Sequence, residues 1–332
     1  MIIDIIDMKN IIFWVGYYSK TWCSNMYPGG SEKATVNIAE ELAHNNNVYI
    51  IGDVIEGIYN RVNYIHRDNL DTIFKYNKNK FYLIGVNYIN FINHFNVYID
   101  RIVKKIFYVH NTEPFKFYND RQMDKNEIDN ALRACDTVVC VSYFHQKQFS
   151  TDYNLDNTIA ISHGIKPTGV DLRKKVKDRF IWMSSADRGL GKYITETIPL
   201  IKAHLHNSEF IICTPEYSLS WFDKDVLPTD YKQRYNIKYL GNVLDIKHIL
   251  ETSEYMVYVT DYIETFCMSV YEANYYGVKV ITSDKGALTE SNVSGKCIKE
   301  GELLDTITKM KYIEGKLFRT WVDVAIKFNS IL

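Results

Sequence analysis

Short apolar runs rich in β-branched and aromatic residues alternate with segments of helical period along almost the whole chain. Few folds tolerate that alternation; it is the pattern of βαβ units and of a parallel sheet. In the first half, strands are expected over 11–16, 47–52, 81–85, 105–110, 137–142 and 158–162. Helices are expected from Ser31, with Ala34, Ile38, Ala39 and Leu42 at helical spacing, and over 126–134 and 143–150. Near 164–178 the pattern breaks. Gly164, Pro167 and Gly169 cluster there ahead of a charged stretch, which reads as an interdomain linker. The alternation then restarts, with strands at 179–184, 209–213, 236–240, 255–260 and 278–283 and helices at 190–204, 245–252 and 267–276. The expectation is α/β, as two doubly wound domains, residues 1–165 and 166–312, facing across a cleft. A last segment, 313–332, is expected to form a helix packing back toward the first domain, with Trp321, Val322, Ala325, Ile326 and Phe328 apolar.

A chain of 332 residues is long for one domain, which agrees with two. Its formal net charge of −1 supplies no overall field to recruit nucleic acid or an anionic membrane, so an anionic ligand must be held by local groups. Cys23, Cys135, Cys140, Cys213, Cys267 and Cys297 form no C-x-x-C pair and no metal-ligand spacing, and they read as reduced core residues. No run approaches the ~18–20 apolar residues of a membrane span. The first residues are broken by acids and lack a basic stretch, so a signal peptide is not expected. The expected location is cytoplasmic, including peripheral contact at a membrane's cytosolic face. The 26 tyrosines, the 6 prolines and the recurring Asn, Ile and Lys fit an AT-rich genome, such as that of a low-GC bacterium or a large DNA virus.

Three stretches carry chemistry. Tyr27-Pro28-Gly29-Gly30-Ser31-Glu32 lies between a strand and a helix. A glycine pair there lets the backbone approach a ligand while the helix N–H groups face an anion, with Ser31 as the N-cap. An ordinary structural turn would look the same. Ser184–Lys192 follows a strand and places Arg188 and Lys192 at a helix start. Cations oppose the macrodipole there unless an anion sits between, which makes both candidate diphosphate ligands; solvated surface charge is the alternative. In the third stretch, Glu264 falls in the loop after a strand and Glu272 on the next helix, with Phe266, Cys267 and Met268 between and Gly277-Val278-Lys279-Val280-Ile281 following. Two acids so placed suit two hydroxyl-bearing parts of one ligand, at the carboxyl end of the strand where open α/β sheets bind.

These stretches resemble glycosyltransferase family 4, the group 1 type of retaining nucleotide-sugar enzymes with the GT-B fold of two Rossmann-like domains. Glu-x7-Glu-Ala at 264–273 followed by Gly-Val-Lys-Val-Ile is similar to that family's signature. Gly29-Gly30-Ser31-Glu32 is similar to its amino-domain glycine loop, and Ser184–Leu190 to its arginine loop. Val141-Ser142, Tyr239-Leu240-Gly241 and the hinge-like Ile161–Ile165 fall in the matching order. The resemblance implies that Glu272 holds ribose hydroxyls and Glu264 the donor sugar, with Phe266, Cys267 and Met268 lining it. It implies that Arg188 and Lys192 neutralise the diphosphate, that Gly29 and Gly30 contact phosphate or acceptor, and that His110, at a strand end, stands near the donor sugar with a catalytic role. It also implies retention of anomeric configuration.

The expected activity is transfer of a sugar from a nucleotide-diphosphate donor to a glycan, lipid or other hydroxyl acceptor. No metal and no cofactor is expected, and the phosphate charge is met by Arg, Lys and helix N-termini. The loop reads Glu-Thr-Phe-Cys where many relatives have Glu-Gly-Phe-Gly, the basic pair is Arg-x3-Lys, Lys279 stands where the family has proline, and His163 stands at the hinge asparagine. Asp223-Lys224-Asp225 is a literal Asp-x-Asp but lies in a polar loop. The rival readings are a nucleotide-sugar epimerase on the same architecture and a catalytically silent sugar-nucleotide binder. The nucleotide base, sugar, acceptor and linkage are expected to depend on loops such as 17–28, 55–75 and 111–125, and Phe115-Lys116-Phe117-Tyr118 is a candidate membrane contact.

Overall fold

The structure, a computed structural model, describes residues 8–18, 20–26, 29–76, 78–112, 124–215, 218, 230–243, 245–299, 301–312 and 316–332. Tyr27, Pro28, Phe115–Tyr118 with most of loop 111–125, and Asp223-Lys224-Asp225 lie outside the described residues. The chain forms two compact units, Met1–Lys166 with Arg319–Leu332, and Pro167–Phe318.

The first unit is an eight-stranded sheet of β1 Asn10–Gly16, β2 Asn47–Gly52, β3 Gly57–Tyr59, β4 Val62–His66, β5 Phe81–Val86, β6 Ile102–Val109, β7 Thr137–Cys140 and β8 Thr158–Ala160. Its order is β3-β4-β2-β1-β5-β6-β7-β8. All pairs are parallel except β3 with β4. That edge hairpin was not expected, because it turns on Asn60 and Arg61, both at positive φ, without the glycine that usually marks such a turn. Helices flank the sheet, among them Gly30–Leu42, Lys125–Arg133 and Tyr143–Tyr153. The core is built from the sheet's continuous apolar strands, as a parallel sheet covered on both faces requires: all seven residues of β1 are buried.

The C-terminal helix is Trp321–Ile331. Residues 313–315 of the segment expected to be helical lie outside the described residues, and a capping box of Thr320 and Asp323 opens the helix at Trp321. It belongs to the first unit. Ile165 bridges Thr320, and Phe328 packs its ring 5.0 Å from Tyr108. The second unit runs on to Phe318, whose ring packs 5.3 Å from Tyr271 and 5.4 Å from Tyr275. The stretch expected to be a linker is anchored: the Thr168 amide donates to the Tyr275 hydroxyl at 2.8 Å, and Lys174 pairs with the buried Glu251 at 3.1 Å.

The second unit holds β9 Val176–Met183, β10 Glu209–Cys213, β11 Ile237–Tyr239, β12 Ser253–Tyr258, β13 Lys279–Thr282 and β14 Lys296–Cys297. Their order is β11-β10-β9-β12-β13-β14, every pair parallel. This is the doubly wound strand order, and it reverses between β9 and β12. The expected helix 190–204 runs without a gap but contains a π-helical segment. Leu190–Lys192 and Ile198–His204 are α-helical, but Tyr193–Thr197 between them is a π-turn. Pro199 supplies the reason: it has no N–H, and its ring displaces the carbonyl one turn back. No described helix is long and apolar enough to cross a membrane.

Candidate functional site

Adjacent strands whose connections leave in opposite directions open a crevice at their carboxyl ends. In the second unit those strands are β9 and β12, and the loops that follow them carry Arg188 and Glu264. Arg188 sits on a short 3-10 turn, Ala186–Arg188, closed by Gly189. Its Nη1 lies 3.5 Å from Oε2 of Glu264 and its Nε 3.4 Å from Oδ2 of Asp187. The guanidinium carbon stands 3.4 Å from the centre of the Tyr262 ring. Burial works against the charge on Arg188, but Glu264 and then Tyr262, Tyr258 and Asp187 more than offset it, so the side chain is held as a cation.

Glu264 is fixed twice. Its backbone bridges Gly286, and its carbonyl accepts from the Ala287 amide at 2.7 Å. Its Oε1 accepts the Tyr258 hydroxyl at 2.6 Å. Burial foremost, then the Glu264 charge, raises Tyr258 well above the ordinary phenol value, so it stays protonated and donates. Since its one proton goes to Glu264, Ser184, 3.1 Å away, donates to Tyr258. A carboxylate offers about four acceptor positions. The Tyr258 bond and the Arg188 pair leave room for a ligand hydroxyl.

Gly286 is the residue that lets Glu264 sit there. Its φ is +61°, and a Cβ on it would lie 2.3 Å from the Glu264 carbonyl oxygen and 2.7 Å from the Glu264 nitrogen. Only glycine meets both demands.

The other expected positions divide. Cys267 begins the helix Met268–Tyr275 without a side-chain capping bond, and its thiol is pushed well above its ordinary value by burial and then by Glu264, so it is neutral. Met268 opens that helix, and Glu272 lies in its second turn, half-buried. The Phe266 ring is buried against Tyr271, with centroids 5.4 Å apart, so its side chain is committed to packing. Lys192 does not reach Glu264. It pairs with Asp261 at 3.5 Å, both largely exposed, because the helix begins one residue after Gly189 and turns Lys192 outward.

Gly29, Gly30 and His110 belong to the first unit. Gly29 itself is the N-cap of Gly30–Leu42, with extended backbone and no side-chain bond. Ser31, expected as the cap, instead donates to Oε1 of the buried Glu32 at 2.6 Å, beside the Tyr18 hydroxyl that donates to the same oxygen. His110 follows β6; its amide donates to Asn87 Oδ1 at 2.9 Å and its ring stacks on His163 at 5.2 Å. Burial, then His163 and His145, hold His110 well below the ordinary imidazole value, so it is neutral.

Residues 224–314 match the family model described as Glycosyl transferases group 1. No curated protein matches the chain by sequence. Among solved structures, a glycosyltransferase from Rickettsia africae superposes with a TM-score of 0.64 at 14% identity, over 98% of this chain and 92% of the other. Sucrose-phosphate synthase from Thermosynechococcus elongatus gives 0.66 at 12% identity, over 97% and 98%. Anabaena HepE in complex with UDP gives 0.63 at 14%, over 98% and 95%. The fold is GT-B. On that GT-B frame, Arg188 and Glu264 come from the switch point of the second Rossmann-like unit, whose sequence carries the group 1 match and supports an enzyme that transfers glycosyl groups.

Sequence reasoning missed Tyr258, Thr260, Tyr262, Asp187 and Gly286. Tyr258 and Tyr262 carry no signal in a chain with 26 tyrosines. Gly286, just past the strand in Ser283-Asp284-Lys285-Gly286, was the one with a readable cue.

Proposed function

We propose that this protein is a retaining, metal-independent glycosyltransferase of the family 4 type, moving a sugar from a nucleotide-diphosphate donor to the hydroxyl of a glycan or lipid. The observation that carries the reading is the Arg188–Glu264 pair at the β9/β12 switch point, a cation and an acid that share one crevice. HepE has been solved with UDP and with UDP-glucose, and TarM with UDP, so relatives of this fold hold such ligands.

In this mechanism the donor lies on the second unit. As the glycosidic bond breaks, negative charge grows on the diphosphate and positive charge on the anomeric carbon. Arg188 and the first N–H groups of Met268–Tyr275 stabilise the diphosphate. Glu264, held by Tyr258, accepts a sugar hydroxyl and orients the ring. Glu272 accepts from the ribose. Lys192 contributes long-range charge rather than a direct bond. Cys267 and Met268 line the site through backbone and sulfur, and Phe266 through backbone alone. Gly29, Gly30 and the neutral His110 serve the acceptor side, His110 as a hydrogen-bonding group rather than an acid.

The test is a thermal-shift screen over UDP-, GDP-, ADP- and TDP-sugars with and without EDTA, followed by turnover of the donor that stabilises the fold. Arg188→Ala and Glu264→Ala should each lower turnover by about 10²–10³-fold with the fold intact. Full turnover in both variants would sink the site. Loss of binding in EDTA would sink metal independence, and an isomerised donor formed without acceptor would point to an epimerase.

A further inference from the structure

We propose that Tyr262 is a positioning residue for the donor diphosphate: its ring holds the Arg188 guanidinium flat, so that the arginine's free edge meets the phosphates. The inference rests on Arg188 as the diphosphate ligand and names what orients it.

A guanidinium carbon 3.4 Å from a ring centre lies on the ring face, because an edge-on approach would not bring it so close. Stacking uses the π-face and consumes no N–H donor. Asp187 stands 3.4 Å from Nε as an ion pair without a hydrogen bond there, and Glu264 stands 3.5 Å from Nη1. Among the described residues no ion pair is made at Nη2, so that edge, in the same plane, can take an anion, and planar N–H pairs suit phosphate oxygens.

The backbone is tied to keep ring and cation in register. Thr260 Oγ1 donates to the Arg188 carbonyl at 2.6 Å and accepts from the Tyr262 amide at 3.0 Å, joining the two loops at one atom. Thr260 is in turn fixed by Ser283, whose hydroxyl donates to the Thr260 carbonyl at 2.7 Å and accepts from its amide at 3.3 Å. Thr260 and Ser283 are both buried. The Lys192–Asp261 pair flanks this joint but is largely exposed and adds little. A long, rotatable arginine is thereby ordered before the donor arrives.

The experiment measures binding of UDP and UMP, with GDP/GMP and ADP/AMP in parallel, by calorimetry to the wild type, Tyr262→Leu and Tyr262→Phe. In the pair that the wild type discriminates, Tyr262→Leu should weaken the diphosphate by about 2- to 30-fold, the cation–π range converted at tenfold per 1.4 kcal/mol, and leave the monophosphate unchanged. Tyr262→Phe, which keeps the face, should behave as the wild type. In an Arg188→Lys background Tyr262→Leu should have little further effect, since lysine has no plane to orient. A wild-type preference that survives Tyr262→Leu, or equal weakening of both nucleotides, overturns the inference. A wild type that prefers no diphosphate over its monophosphate overturns the reading of Arg188 itself.

Discussion

Replacing Gly286 by alanine tests whether Glu264 is placed by the backbone rather than by its own side chain. The residue holds φ +61°, where a non-glycine residue costs about 1–2 kcal/mol. Its new Cβ would also sit 2.3 Å from the Glu264 carbonyl oxygen, an atom that cannot rotate away, so the two segments must part. Parting lengthens the 2.7 Å bond from the Ala287 amide to that oxygen, worth about 1 kcal/mol. Together these amount to roughly 2–3 kcal/mol, or a fall of roughly 4–12 °C in the second unit's melting temperature. Glu264 would move with its backbone, away from Tyr258 and Arg188, so donor binding should weaken as well. Differential scanning calorimetry reads the first effect and nucleotide titration the second. Hydrogen exchange at the Ala287 amide should quicken. A Gly286→Ala protein that melts within about 1 °C of the wild type and binds donor equally would refute this account of how Glu264 is set.

Two further expectations concern the first unit. His145 is pushed down to about 4 and His163 to about 3, in each case mainly by burial, so both are neutral in the fold. His145 Nδ1 accepts the Val141 amide at 3.4 Å, which leaves that nitrogen no place for a proton. The unfolded chain protonates both near pH 6.5. Stability should therefore be unaffected above that pH and fall as the pH drops from about 6.5 toward 4, by about 1.4 kcal/mol per pH unit for each histidine. Melting curves between pH 7 and 5 check this, and His145→Gln should flatten the slope; a wild-type melting temperature constant over that range would contradict it. Gly164→Ala would place a Cβ 2.5 Å from the Thr320 carbonyl carbon and 2.6 Å from the Trp321 nitrogen, prising the start of the C-terminal helix from the chain it bridges. That helix should then become the first site of limited proteolysis, whereas an unchanged digestion pattern would show the contact to be dispensable.

Much of this protein was legible from local pattern. The apolar runs of β1, β2, β5 and β12 announce parallel strands because a sheet covered on both faces needs no polar alternation, and the Glu-x7-Glu block and the arginine loop are contiguous in sequence. What failed were features whose cues are weak or contradictory locally. The β3–β4 hairpin turns without glycine. The π-helical segment within the correctly placed helix 190–204 has only Pro199 as its cue, and Ser31 looked like a cap but found Glu32 instead.

The sequence by itself determined that strands and helices alternate, where most of them lie, and which residue types face the carboxyl ends of the strands. Only the tertiary structure decided that Arg188 meets Glu264 and Tyr262, because that depends on β9 lying beside β12 rather than on anything near either residue. Thr260 reaches Arg188 across 72 residues. Strand order is set by packing the whole sheet, and no local propensity encodes it. For the same reason the backbone bridge that makes Gly286 indispensable to Glu264 became visible only once β12 and β13 were paired.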